Sequence, residues 1–189
     1  MATPQAICSK ALRNTIAITS ALDAPNAVHA LALLEPALLM VPSAKPFFEA
    51  MAPAIAKYAA GDPAGAVDGF ISLVGGPDWR SNVSQMIPGA PEQAEKDAAT
   101  FFEVELPALG RWSFDAARAR QISQPAIYVI GTESGVFSEE GKRLCESWMP
   151  QTEGFTVAGA THLLHQESPR ASAEVARGLA EFFARHPMI

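Results

Sequence analysis

The chain has 189 residues, 49% of them hydrophobic and 18% charged, which suits one folded domain with room for an inserted subdomain and excludes a disordered chain. Its formal net charge is -6 and no Lys/Arg cluster or basic stripe occurs, so nucleic acid is not an expected partner. The two cysteines, Cys8 and Cys145, have no CxxC or Cys/His ligand spacing around them, which argues against a zinc site and against a disulfide framework.

No apolar run approaches the ~20 residues needed to span a bilayer, and residues 1–10 lack the basic start and apolar core of a signal peptide. The expectation is a reduced, cytoplasmic setting without membrane contact. Along the chain, residues 5–8 read as the end of a short strand. Residues 10–22 follow helical spacing, with Leu12, Ile16, Thr19, Ala21 and Leu22 near one face, until Asp23-Ala24-Pro25-Asn26 stops them. Residues 28–34 form a short, nearly continuous apolar run, the pattern of a buried parallel strand, and end at Glu35-Pro36.

Residues 37–120 carry no strand signal. Helices are expected over 43–58, from Asp62-Pro63 to Gly75-Gly76, over 79–86 and over 91–106. Asp62 is a good N-cap and Pro63 suits a first helical position. Strand character returns at 126–130, followed by the loop Gly131-Thr132-Glu133-Ser134-Gly135, a helix over 138–148, a strand over 155–158 and a helix over 171–185 burying Val175, Leu179, Phe182 and Phe183. Strands alternating with helices imply a parallel, doubly wound sheet. Trp79, Trp112 and Trp148, with Phe101 and Phe102, are candidate walls of an apolar pocket, although ordinary core is the plainer role.

The stretch Gly159-Ala160-Thr161-His162 follows the last strand and precedes the closing helix. A histidine in that loop can serve as a catalytic base or simply order the turn. His165, His29 and His186 are expected at the surface. Two carboxylates are candidates to hold the His162 ring: Glu35, which closes a rigid apolar strand before a proline, and Glu133, in the loop after the next strand. Ligands of open parallel sheets bind at the C-terminal ends of the strands, where both lie.

In the order of these features the chain resembles the cap-bearing members of the α/β-hydrolase superfamily. Asp23-Ala24-Pro25, followed by Leu31-Ala32-Leu33-Leu34-Glu35-Pro36, resembles the stretch after the nucleophile elbow. Val74-Gly75-Gly76-Pro77-Asp78-Trp79-Arg80 and Phe101-Phe102-Glu103-Val104-Glu105-Leu106-Pro107 resemble cap helices. Residues 124–131 resemble the strand whose end often carries the catalytic acid, and Gly159-Ala160-Thr161-His162 the catalytic-histidine loop. The resemblance implies an α/β fold, a partial doubly wound parallel sheet with a helical cap insertion, divided into a core (1–40 and 120–189) and a cap (41–119). It implies a nucleophile-His-acid hydrolase acting on a small ester, lactone or related carbonyl compound, with no metal and no organic cofactor. In the common pattern the acid lies three residues after the glycine, where this chain has Ser134, so Glu133 is one residue early. Some members place the acid where Glu35 stands, and Glu35 is favoured.

Two departures accompany the resemblance. The family pattern at the elbow is G-x-S-x-G. This chain has Ser9-Lys10-Ala11-Leu12-Arg13 there and no G-x-S-x-G elsewhere. Ala11 stands in the serine's place, with Ser9 and Cys8 as weak substitutes. The strands that precede the elbow in the family have no counterpart, which implies a truncated chain. The exposed sheet edge, at 28–34 or 5–8, would then be covered by a second copy or a partner. The alternative to a hydrolase is a non-catalytic fragment or pseudoenzyme that binds a ligand or partner.

Overall fold

The computed structural model describes residues 10–188; the expected strand end at 5–8, with Cys8 and Ser9, lies outside them. Helix α1 (Lys10–Asp23) leads through a turn at Pro25–Ala27 to strand β1 (Leu31–Leu34). Next come α2 (Ala44–Ala59), α3 (Pro63–Gly75), α4 (Trp79–Met86), α5 (Ala90–Lys96), α6 (Leu106–Arg111) and α7 (Ala116–Ala119). Strand β2 (Ala126–Gly131), helix α8 (Gly135–Trp148), strand β3 (Thr152–Val157) and helix α9 (Pro169–Arg185) complete the described chain. The strands form one parallel sheet in the order β1-β2-β3. Among the described residues no helix is long and apolar enough to cross a membrane.

Both faces of the sheet are buried, which is why β2 reads as an unbroken apolar run. Leu31, Leu33, Tyr128 and Ile130 share a core with Ile18 and Ala21 of α1 and Cys145 of α8. The alternate residues Ile127 and Val129 pack on the opposite face with Val175 and Phe182 of α9. A third core, around Val67, Ile71, Trp79, Val83 and Phe101, belongs to the helices between β1 and β2. Helix α3 starts as its sequence demands: Asp62 accepts the Gly65 N–H at 2.8 Å and Pro63 occupies the first turn.

Several expectations are corrected. Strand β1 begins at Leu31 rather than at residue 28, because its ladder starts with the Leu31 N–H donating to the Pro125 carbonyl (2.9 Å) and Pro125 has no N–H with which to extend it. Strand β3 begins at Thr152, earlier than residue 155. Its Thr152-Glu153-Gly154 start is half-exposed and polar, which hides it from an apolar pattern. The single helix expected over 91–106 is broken. A π-type segment, Thr100–Glu105, separates α5 from α6, and Pro107, which cannot donate within a helix, sits in the first turn of α6. Phe183 is exposed, whereas Phe182 is buried.

The inward face of α1 also differs from expectation. Ile16 is 54% exposed, while the polar Asn14 and Thr15 are buried. Asn14 is inside because its carboxamide substitutes for a neighbouring strand. Its Nδ2 donates to the Leu34 carbonyl and its Oδ1 accepts the Leu34 N–H, each at 3.0 Å. That satisfies both backbone groups of Leu34 on the side of β1 turned away from β2.

Candidate active site

Glu35 follows the C-terminal end of β1 with φ +49°, a left-handed conformation uncommon for a residue with a Cβ. The turn brings its carboxylate back under the end of β2, where it is 1% exposed. A buried carboxylate needs partners. Oε1 accepts the Gly131 N–H (2.8 Å) and the Ser134 hydroxyl (2.5 Å). Oε2 accepts the Ser138 hydroxyl (3.0 Å) and meets His162 Nδ1 at 2.6 Å. Ser138 is itself held, since its carbonyl accepts the Tyr128 hydroxyl at 3.0 Å. The carboxylate thus stands against the first turn of α8, where the helix dipole favours negative charge.

The His162 loop is lashed from several sides. Gly159, at φ +69°, makes the turn after β3. Its N–H donates to Thr132 Oγ1 (2.7 Å), and the Glu133 N–H donates to the Ala160 carbonyl (2.9 Å). A Cβ on Gly131 would lie 2.1 Å from that same carbonyl oxygen, so only glycine fits there. Thr161 donates its N–H and hydroxyl to Glu167 at 2.8 and 2.5 Å. The His162 N–H donates to the Val74 carbonyl of α3 at 3.3 Å. The two residues after His162 then diverge. Leu163 is buried in the core of the inserted helices, and Leu164, with φ +50°, is buried in the core beneath α9.

It is therefore Glu35 whose carboxylate meets His162. Glu133 is exposed and accepts from the Thr132 hydroxyl at 3.2 Å. Ser134 and Ser138 are the partners that sequence reasoning missed; their spacing of four residues across the start of a helix, just beyond a strand end, is the signal that could have found them. His29 is exposed and its Nε2 lies 2.9 Å from the His186 carbonyl oxygen; His186 in turn meets Glu153 at 2.9 Å. Among the described residues no three His, Cys, Asp or Glu side chains gather to hold a metal ion. Burial pushes the Cys145 thiol up to about 12.

A cavity of about 310 Å³ lies over His162, between the inserted helices and the first turn of α8. Phe47 of α2 stacks on Phe137 of α8 at 4.8 Å, and Phe70 of α3 meets Phe101 at 4.6 Å; all four line it. Of the five aromatic residues expected to form such walls, Phe101 does. Phe102 stacks on Tyr58 at 4.7 Å instead. Trp79 is buried in the core of the inserted helices, and Trp112 and Trp148 pack against the sheet core. Their place as ordinary core follows from their bulk.

The same architecture recurs in solved structures. A Bacillus subtilis protein described as a hydrolase superposes with a TM-score of 0.64 at 16% identity, over 90% of this chain and 56% of its own. NosK from Streptomyces actuosus matches with a TM-score of 0.53 at 20% identity, over 92% of this chain and 65% of its own. Proline iminopeptidase from Mycobacterium smegmatis matches with a TM-score of 0.51 at 18% identity, over 92% and 62%. The chain thus spans between 56% and 65% of the length of these neighbours. No family model and no curated protein matches its sequence. All three neighbours have the α/β-hydrolase fold, and with its parallel sheet, covering helices and helix-rich excursion between β1 and β2 this chain has that fold too.

Proposed function

We propose that the protein is a hydrolase of a small ester, lactone or related carbonyl compound, with His162 as its base and Glu35 as the acid that orients it. The observation that carries this reading is the 2.6 Å contact between His162 Nδ1 and a buried, multiply hydrogen-bonded carboxylate beside an apolar cavity. With Nδ1–H donating to Glu35, Nε2 is the basic nitrogen. It takes the proton of the attacking oxygen, the carboxylate stabilises the imidazolium, and the proton then passes to the departing alcohol. Ala11, in the elbow position, has no oxygen to attack with, so in this chain water adds to the carbonyl carbon and the bond to the leaving oxygen breaks. Residues 41–119 act as a cap over a core made of 1–40 and 120–189. The separate core of the inserted helices, around Val67, Ile71, Trp79, Val83 and Phe101, supports that division. A free, buried Cys145 is compatible with a reduced cytoplasm.

The same alanine favours a second reading, a non-catalytic protein that binds a ligand in the cavity. Hydrolysis of short-chain nitrophenyl esters by the protein and by His162→Ala separates the two. The hydrolase reading expects the variant to lose about a hundredfold or more in rate. Equal rates in both proteins would leave the binder.

A further inference from the structure

We infer that the cavity over His162 admits an uncharged, apolar group and excludes carboxylates, phosphates and ammonium ions at its buried end. The claim concerns binding; it rests on the hydrolase reading only for what then happens to the ligand. Among the described residues no Lys or Arg lines the cavity, and its polar lining is His162 with Ser43, Ser134 and Ser138. Each of those serines has its single hydroxyl proton committed. Ser43 donates to Glu140 at 2.7 Å, and Ser134 and Ser138 donate to Glu35 at 2.5 and 3.0 Å. Apart from the His162 imidazole, an entering anion finds no hydroxyl proton to accept and no cation to pair with. The positive end of α8, which would otherwise attract it, already faces the Glu35 carboxylate. An entering ammonium finds no open carboxylate, because both oxygens of Glu35 are engaged, and only the imidazole and hydroxyl oxygens remain to accept from it. A charge stripped of water without a partner is strongly disfavoured.

The remaining walls are apolar, with the stacked Phe47–Phe137 pair on one side and Phe70 against Phe101 on the other. At about 310 Å³ the space is near the small end of ligand pockets, roughly one aromatic ring with a short arm. Leu73 and Val136 also line it while remaining 42% and 56% exposed. They form an apolar rim along which a longer chain leaves. Discrimination here works by withholding partners from charged ligands.

Three non-hydrolysable probes of similar size test the inference by calorimetry on the intact protein at neutral pH: acetophenone, benzoate and benzylammonium. Acetophenone is expected to bind at least about tenfold more tightly than either ion, and Leu73→Asp, at an exposed rim position, is expected to weaken it several-fold. Benzoate or benzylammonium binding as well as acetophenone, acetophenone failing to bind, or Leu73→Asp leaving its affinity unchanged would each overturn the proposal. Because these probes are not turned over, the outcome is independent of the ester assay. An inactive protein that still prefers acetophenone loses the hydrolase reading alone, and an active one that prefers benzoate loses this inference alone.

Discussion

Glu35 does two things that are rarely combined in one residue: it adopts a left-handed backbone conformation and it buries a carboxylate. The hydrogen bonds from Gly131, Ser134, Ser138 and His162 are what keep that arrangement in place. In the hydrolase reading Ser138, whose hydroxyl shares Oε2 with His162, acts by positioning the acid. Ser138→Ala is expected to lower kcat for a nitrophenyl ester about tenfold, the loss of one hydrogen bond to a charged acceptor, with KM unchanged. Steady-state kinetics check this, and a rise in KM at constant kcat would point to substrate contact instead. The sequence makes Glu35 and His162 visible, because each sits at the C-terminal end of an apolar run where a parallel sheet presents its ligands. The serines stay hidden, since a hydroxyl near a helix start has many ordinary uses, capping first among them.

At the scale of elements, helix α2 is tied to α8 by two contacts beside the cavity. One is the Phe47–Phe137 stack. The other is Glu140, whose Oε2 accepts both the N–H and the hydroxyl of Ser43 at 2.9 and 2.7 Å. Those bonds from Ser43 hold the Glu140 carboxyl below the ordinary glutamate value of 4.5. Because the folded value is the lower one, the contribution is present above 4.5 and fades as the pH falls through the folded value. Glu153 behaves alike, lowered first by its hydrogen bond from His186 and then by Arg185. Thermal melting is therefore expected to worsen as the solution is acidified below the ordinary carboxylate range. Glu140→Gln should flatten part of that dependence, and an unchanged slope in the variant would refute the role given to Glu140.

Element legibility followed local chemistry. Helix α3 was plain from Asp62-Pro63, whose cap and first turn act within the segment itself. Strand β3 was partly hidden, because at its polar start only one side is paired among the described residues and its side chains are half-exposed. The inward face of α1 departs from its helical pattern for a different reason. Asn14 is buried to serve the backbone of a strand twenty residues away, a demand that helical periodicity does not encode.

The whole molecule is three cores around one loop: one on each face of the sheet and one inside the inserted helices. Sequence pattern alone marks the strand-free stretch, since short, nearly continuous apolar runs stop at residue 34 and resume at 126. It could not show that Phe47, Phe70, Phe101 and Phe137, drawn from four different segments, meet over His162, because that convergence is a property of how the elements pack.

Consecutive residues of the histidine loop are committed to separate bodies: His162 to Glu35, Leu163 to the inserted helices, Leu164 to the core beneath α9. The loop consequently acts as an assembly check. Neither core alone fixes the imidazole, so in the hydrolase reading a partly folded chain would carry no working base. In rising urea, His162-dependent turnover should vanish with the first core to open. Trp79 fluorescence in a Trp112→Phe, Trp148→Phe background reports on the insertion and circular dichroism on the whole. Turnover that persisted after the Trp79 signal had collapsed would show the loop to be held by the sheet alone. If the two collapse together, a half-made copy of this protein is chemically silent, and the reactive group is switched on only by completed folding.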